Sequence, residues 1–308
     1  MGKTYIFGHK NPDTDSITSS IVMANLETKL GNNVEACRLG VINKETEYVL
    51  NYFGVQAPTL VESIEDGRNV ILVDHGNPLE SVDNLDKLNI LKVVDHHPVK
   101  ITVAYPLYYR AEPVGCTQTI LYKMYKEYNV EVDKKIAGLM LSAIISDTLI
   151  LKSPTTTERD KEAVENLASI AGVDYKKYGY SMLKAGSSIE GLTVEDLIYQ
   201  DFKSYKVGNT SLGISQVITM DFDSLKDNID EYVEKLDEIA KRDYSTVTLF
   251  ITDIVENGSY VLYNTEAKHI IEDSFDIIDI EEGTFIPDLV SRKKQMLPQI
   301  METLEKNS

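Results

Sequence analysis

The chain has 308 residues, of which 43% are hydrophobic and 26% charged, with a formal net charge of −18. That length favours two domains with separate cores, and the composition excludes the disordered and fibrous classes. The charge excludes a backbone-tracking basic stripe, and no apolar run approaches the roughly 20 residues that span a bilayer, so neither nucleic acid nor membrane is expected as a partner.

The first residues, MGKTYIFGHK, lack a leader pattern, because Lys10 and Asp13 follow too short an apolar stretch. Cys37 and Cys116 are only two and lie far apart, so they read as reduced, buried small hydrophobes. Both features place the expected location in the cytoplasm.

In chain order, Lys3 to Phe7 reads as a short strand. A loop follows, then a helix from Asp15 with Ile17, Ile21 and Ala24 at helical spacing, closed by Gly31. Val34 to Arg38 reads as a strand, Lys44 to Tyr52 as a helix, and Asn69 to Val73 and Leu91 to Val94 as buried strands. Strands alternating with helices imply an α/β fold with a mainly parallel, doubly wound sheet. Asp133 to Asp147 reads as a helix whose face carries Ile136, Met140, Ala143 and finally Asp147. The segment AGSSIEGLT after Lys184 is small and polar, a plausible hinge, which gives a first domain over 1–187, a linker over 188–195 and a second domain over 196–308. In the second domain Leu212 to Ile218 and Thr246 to Ile254 read as strands. Ile229, Val233, Leu236 and Ala240 mark an amphipathic helix, and Asn257-Gly258 is a turn signal into Tyr260 to Tyr263.

Polar residues gather where the strands of the first domain end. His9, Asp13 and Asp15 follow the first strand; Asp74 and His75 follow NVILV; Asp95, His96 and His97 follow LKVV. Asp147 continues an apolar helix face, where a carboxylate is costly unless a cation or hydrogen-bond donor receives it. Either Asp13 or Asp15 alone reads equally well as a helix cap. His75 and His269 have no supporting pattern and read as loop or surface residues. As a set, mixed imidazole and carboxylate ligands suit manganese, cobalt, iron or zinc better than calcium or magnesium alone, and the lack of cysteine in the cluster argues against a structural zinc site. There are too many ligands for one ion, and two cations about 3.5–4 Å apart sharing a carboxylate are the usual device for activating water against phosphorus.

GHKNPDTDS (Gly8 to Ser16), VDH (Val73 to His75), VDHH (Val94 to His97) and SDT (Ser146 to Thr148) resemble the DHH phosphoesterase superfamily. PLYYRAEPVGCTQTILYKMYKE (Pro106 to Glu127), IAGLMLSAIISDT (Ile136 to Thr148) and SRKKQ (Ser291 to Gln295) are similar, more narrowly, to the manganese-dependent family II inorganic pyrophosphatases, nearly end to end. One departure is HGNP after Asp74, where that family often has HNE; it bears on a contact behind the ligand and not on the ligand.

The resemblance implies two manganese (or cobalt) ions per subunit, with magnesium accompanying the substrate, and hydrolysis of pyrophosphate to two orthophosphates by a hydroxide activated between the two metals. His9, Asp13 and Asp74 would hold one metal, and Asp15, Asp74, His96 and Asp147 the other, with Asp74 bridging. His97 would contact phosphate, and Lys203, Arg292 and Lys293 of a smaller, mixed-sheet second α/β domain would bring cations to an active site in the cleft between the domains. A homodimer formed through the first domain's sheet is also implied. The charges are consistent with this: four ligand carboxylates (Asp13, Asp15, Asp74, Asp147) balance two divalent ions, so the substrate needs the basic residues as its own counter-charge. Adjacent side chains of an extended segment point to opposite sides, so His96 and His97 are not expected on one metal.

The alternatives are another DHH-type phosphoesterase, acting on polyphosphate, short oligonucleotides or cyclic dinucleotides, and a non-catalytic metal or nucleotide sensor. The phosphodiesterases acting on oligonucleotides or cyclic dinucleotides typically carry a GGGH-like stretch, and the chain has no Gly-Gly pair. Retention of every proposed ligand and cation argues against the second, and a regulatory insertion has no room between Leu60 and Val70.

Overall fold

The protein is described by a computed structural model covering residues 2–187, 192–208, 210–220, 222 and 225–306. The chain divides into two compact units, Met1–Gly186 and Ser187–Ser308.

The first unit is built on β1 (Thr4–Phe7), β2 (Val34–Arg38), β3 (Thr59–Leu60), β4 (Asn69–Val73), β5 (Asn89–Asp95) and β6 (Tyr108–Ala111). Their order is β3-β2-β1-β4-β5-β6, with every neighbouring pair parallel. Parallel neighbours need crossovers; α1 (Thr14–Lys29) joins β1 to β2 and α2 (Lys44–Phe53) joins β2 to β3. Val70, Ile71, Leu72 and Val73 are all buried, so β4 reads as an unbroken apolar run, as a strand covered on both faces should. The direction of winding reverses between β1 and β4, and in sheets of this kind ligands bind beyond the carboxyl ends at that point.

Four further helices follow β6: α3 (Thr117–Glu127), α4 (Lys134–Asp147), α5 (Glu158–Ala171) and α6 (Tyr175–Gly186). Their ends are chemically marked. Asp13, Asn43 and Asp133 cap α1, α2 and α4 through their side chains, and Thr157 and Asp160 form a reciprocal capping box on α5. Each such cap contributes about 1 kcal/mol. Just past α4, Leu149, Ile150 and Leu151 hold φ of 48°, 53° and 65°. Non-glycine residues in this left-handed region cost about 1–2 kcal/mol each. Thr148 offsets part of that cost: its Oγ1 accepts the Leu151 N–H at 3.2 Å and its carbonyl accepts the Ser153 N–H at 2.8 Å. Leu149 and Ile150 are buried.

The second unit runs through α7 (Val194–Gln200), β7 (Phe202–Val207), β8 (Thr210–Thr219), α8 (Ile229–Asp243), β9 (Thr246–Asp253), β10 (Gly258–Tyr263), α9 (Lys268–Phe275), β11 (Thr284–Pro287) and α10 (Leu297–Lys306). Its sheet has the order β11-β10-β9-β8-β7 and is mixed: β8 and β9 are parallel, joined by α8, and the other pairs are antiparallel. Every residue of β9 is buried, and alternate ones serve different cores. Phe250 packs with Val261, Tyr263 and Met296 on one side, Leu249 and Ile251 with Tyr232 and Leu236 on the other.

Of the linker expected at 188–195, residues 188–191 lie outside the described residues, and Thr193 already caps α7. Strand β6 carried no periodic signal because YYRA is partly exposed at a sheet edge.

Candidate metal centre

The residues after β1, β4 and β5 converge. Gly8 makes the first turn: a Cβ there would lie 2.8 Å from the Ser16 carbonyl oxygen, so only glycine lets α1 begin so close to the strand. Asp13 does two things, which joins the alternatives left open by its position. Its Oδ1 caps α1 by accepting the Ser16 N–H at 2.9 Å, while Oδ2 lies 3.5 Å from His9 Nε2. Asp15, in the first turn of α1, is buried; Oδ1 accepts the Ser19 hydroxyl at 2.7 Å and Oδ2 the Thr117 N–H at 2.8 Å.

Asp74 leaves β4 with φ 59°, a left-handed conformation that aspartate tolerates better than most residues, while its N–H still pairs with Val94 at 2.9 Å. This turns a buried carboxylate to the middle of the cluster. Oδ2 lies 3.3 Å from His9 Nε2, and Oδ1 lies 3.5 Å from His96 Nε2 and 3.0 Å from the Thr117 hydroxyl that donates to it. Asp147, the last residue of α4, brings Oδ2 to 4.0 Å from His96 Nε2.

His9 and His96 each have their tautomer set by the backbone. His9 Nδ1 donates to the Lys10 carbonyl at 2.7 Å, and His96 Nδ1 donates to the Val114 carbonyl at 3.1 Å. In the neutral ring Nε2 then carries a lone pair, aimed at carboxylate oxygens 3.3–3.5 Å away. Acceptors facing acceptors require a cation or a proton between them. Asp74 Oδ2 is buried with no hydrogen bond, the signature of an atom awaiting a positive charge. Among the described residues, three overlapping sets meet metal-ligand spacing, each with ligand atoms within 4.8 Å of one another: His9, Asp13 and Asp74; Asp15, His96 and Asp147; Asp74, His96 and His97. The donor set therefore fits divalent cations, with Asp74 placed between His9 and His96.

The electrostatics agree. Burial disfavours the charged form of His9, but Asp13 and Asp74 beside it lift its pKa well above the ordinary value. Asp15 is pushed well up, first by burial and then by the charges of Asp74 and Asp13. For Asp74 burial is outweighed by the His9 contact and by the His97, His9 and His96 rings, which hold it well below the carboxylate range. Without metal, the site is a set of carboxylates competing for histidine protons.

Two expectations change. His96 and His97 lie beyond the end of β5, so strand alternation does not apply; their rings meet edge to face at 4.2 Å and both approach Asp74. They differ instead in Nδ1: that of His97 donates to Asp95 Oδ1 at 2.9 Å, which leaves its Nε2 for another partner. His75 lies in the loop after β4, as expected, but it is buried and not at the surface, its Nδ1 donating to the Val73 carbonyl at 2.9 Å and its ring against Phe7. His269 is exposed, as expected.

Lys203 lies exposed on β7 and Lys293 exposed beside Arg292 in the SRKKQ turn. Arg292 is largely covered. It donates to the Asp201 carbonyl at 2.7 Å and to Asp201 Oδ1 at 3.0 Å, which ties the turn to the start of β7. The glutamine of SRKKQ shapes the turn: Gln295 Oε1 accepts the N–H groups of Val290 and Ser291, and its amide donates to Asp288 O at 2.7 Å. Asp95 was named from sequence at the end of LKVV but given no role, and Thr117, Asp201 and Gln295 were not singled out, although each sits inside or beside a motif that was. Glu45 carried no signal of that kind, yet Oε1 accepts hydroxyls from Thr14 at 2.5 Å and Ser146 at 2.6 Å and so joins the helix ends that carry Asp13, Asp15 and Asp147.

Comparison with known proteins matches residues 3–144 to the DHH family, N-terminal domain, and residues 180–303 to the DHHA2 domain. A manganese-dependent inorganic pyrophosphatase of Bacillus subtilis is 46% identical over 99% of both chains. A Clostridium acetobutylicum protein named "Probable manganese-dependent inorganic pyrophosphatase" is 44% identical over 98% of both. A crystal structure from Methanococcus jannaschii, assigned to family II inorganic pyrophosphatases, superimposes with a TM-score of 0.81 at 38% identity, covering 97% of this chain and 99% of that one. With its site geometry, its two domains and relatives of this similarity along its whole length, the chain belongs to the manganese-dependent, family II inorganic pyrophosphatases.

Proposed function

We propose that the chain hydrolyses inorganic pyrophosphate to two orthophosphates at a two-cation centre held by His9, Asp13, Asp15, Asp74, His96 and Asp147. One observation carries this reading: the two backbone-fixed imidazoles direct Nε2 into a nest of carboxylate oxygens that holds no hydrogen-bond donor of its own for Asp74 Oδ2. When bound, two divalent cations lower the pKa of a water molecule and offset charge on the attacking and leaving oxygens.

The side chains have distinct tasks. Asp13, Asp15, Asp74 and Asp147 would set the charge of the site when cations are bound, with Asp74 placed between His9 and His96. His97, oriented by Asp95, donates a hydrogen bond or proton to a phosphate oxygen. Lys203, Arg292 and Lys293 supply the substrate's counter-charge. Arg292 keeps N–H groups for a phosphate beyond those it gives Asp201, since a guanidinium has five.

The reading extends to a cytoplasmic homodimer built through the first unit's sheet, supported by β6 at a sheet edge with Tyr108 exposed. No helix among the described residues is long and apolar enough to cross a membrane. Phosphate release from pyrophosphate, ATP and a dinucleotide, assayed side by side with manganese, tests the substrate. Pyrophosphate should be strongly preferred, and comparable release from the dinucleotide would overturn the reading. Light scattering on the eluted protein tests the dimer.

A further inference from the structure

One segment of the first unit touches three of the proposed ligands without being a ligand itself. The Val114 carbonyl accepts His96 Nδ1–H, the Thr117 N–H donates to Asp15 Oδ2, and the Thr117 hydroxyl donates to Asp74 Oδ1. All of Val114, Cys116 and Thr117 are buried. The segment is anchored from behind by Asp160, which is buried and receives the Gly115 N–H at 2.9 Å, the Thr119 hydroxyl at 2.6 Å, and the Thr157 N–H and hydroxyl at 2.7 and 2.6 Å. Gly115 permits the approach: a Cβ there would lie 2.7 Å from Thr148 Cγ2 and 3.0 Å from Asp160 Oδ2.

We infer that Thr117 is the positioning residue that couples the two cation sites, holding Asp15 and Asp74 at a fixed separation through its N–H and its hydroxyl. A carboxylate is acceptor-only, so the Thr117 hydroxyl must donate to Asp74 and cannot turn elsewhere without stranding it. Each oxygen so engaged has one lone pair left, and its direction is then fixed. Ser19 does the same for the other oxygen of Asp15. Thr117 touches Asp15 and the shared Asp74 at once, so its loss should loosen both cations together, whereas loss of a ligand that belongs to one set only, such as Asp13 or Asp147, should loosen mainly one.

The inference rests on the proposed ligand assignment, and the test separates the two. Mn²⁺ binding is titrated on the full-length, metal-stripped chain by electron paramagnetic resonance of free Mn²⁺, with thermal unfolding of the metal-free protein in parallel. Thr117→Val keeps shape and the backbone N–H but removes the hydroxyl. It should weaken Mn²⁺ binding by about 10- to 100-fold, the usual effect of deleting a partner behind a metal ligand, with both equivalents affected and metal-free Tm little changed. Thr117→Ser should restore most of the affinity. If Thr117→Val does not fold, Thr117→Ala is read in its place. Unchanged affinity in the valine variant, failure of serine to rescue, or failure of both Val and Ala variants to fold would overturn the inference and leave Thr117 a packing residue. Failure of the unmodified chain to bind two Mn²⁺ would overturn the ligand assignment itself.

Discussion

Asp95 Oδ1 accepts two hydrogen bonds from the same neighbour, the main-chain N–H and the ring Nδ1–H of His97, each at 2.9 Å. This pins both the backbone and the ring of one residue to a single buried oxygen. His97→Ala should retain both metals and lose turnover by about 10²-fold, the low end for a positioned proton donor, whereas His96→Ala should lose affinity for a metal. Asp95→Asn should cost about tenfold in kcat/KM with metal content intact, because the ring loses its charged anchor. Metal content by elemental analysis beside steady-state kinetics checks all three. If His97→Ala loses a metal and His96→Ala does not, the roles are reversed.

Removal of metal is the next test. Nε2 atoms facing carboxylates at 3.3–3.5 Å need a borderline cation that accepts both nitrogen and oxygen. Chelation should abolish hydrolysis, and manganese or cobalt should restore more activity than magnesium alone. Equal recovery with magnesium would contradict the donor-set argument.

Arg292 is already paired with Asp201, so its role differs from that of the exposed lysines. Arg292→Ala should lower kcat/KM substantially while metal content stays at two per chain, and Lys293→Ala should do so less, since it removes a point charge and not a held fork. Asp201→Ala should raise KM by freeing the guanidinium without removing it. Kinetics unchanged in Arg292→Ala would make SRKKQ an ordinary solvated turn.

Cys37 and Cys116 are buried and unpaired. Burial pushes the Cys37 thiol up to about 12, with Glu35 adding to the shift, and pushes Cys116 well up through burial and the nearby Asp15. Only the thiolate alkylates, so at pH 8 the native chain should resist iodoacetamide at both positions, and both should react in denaturant. Mass spectrometry after a timed pulse reads the outcome.

The proposed ligands stand out in the sequence because hydrophobic strands end abruptly in acid and histidine, a contrast that the order of residues exposes. His9, Asp13, Asp74 and His96 stand at strand ends, and Asp147 at a helix end that an apolar stripe points to. The pieces behind them were not legible. Thr117 looks like any helix-start threonine, and its hydroxyl acquires meaning only when residue 74 arrives opposite. His75 looked peripheral because nothing near it in sequence shows that Phe7 covers its ring. Partners distant in sequence leave no local pattern, and β6, with its partly exposed residues, left none either.

The left-handed run at Leu149, Ile150 and Leu151 bears on the order of events in folding. Such a turn is disfavoured in a free chain and gains support only when Thr148 and the buried side chains around it are in place. Asp147 lies two residues before it, so this corner of the site should be acquired late and released early. Hydrogen exchange on the metal-free chain should find the Leu151 and Ser153 amides opening in a smaller, less costly step than those of β4, so that the last structure to form is the one that completes the cation pocket.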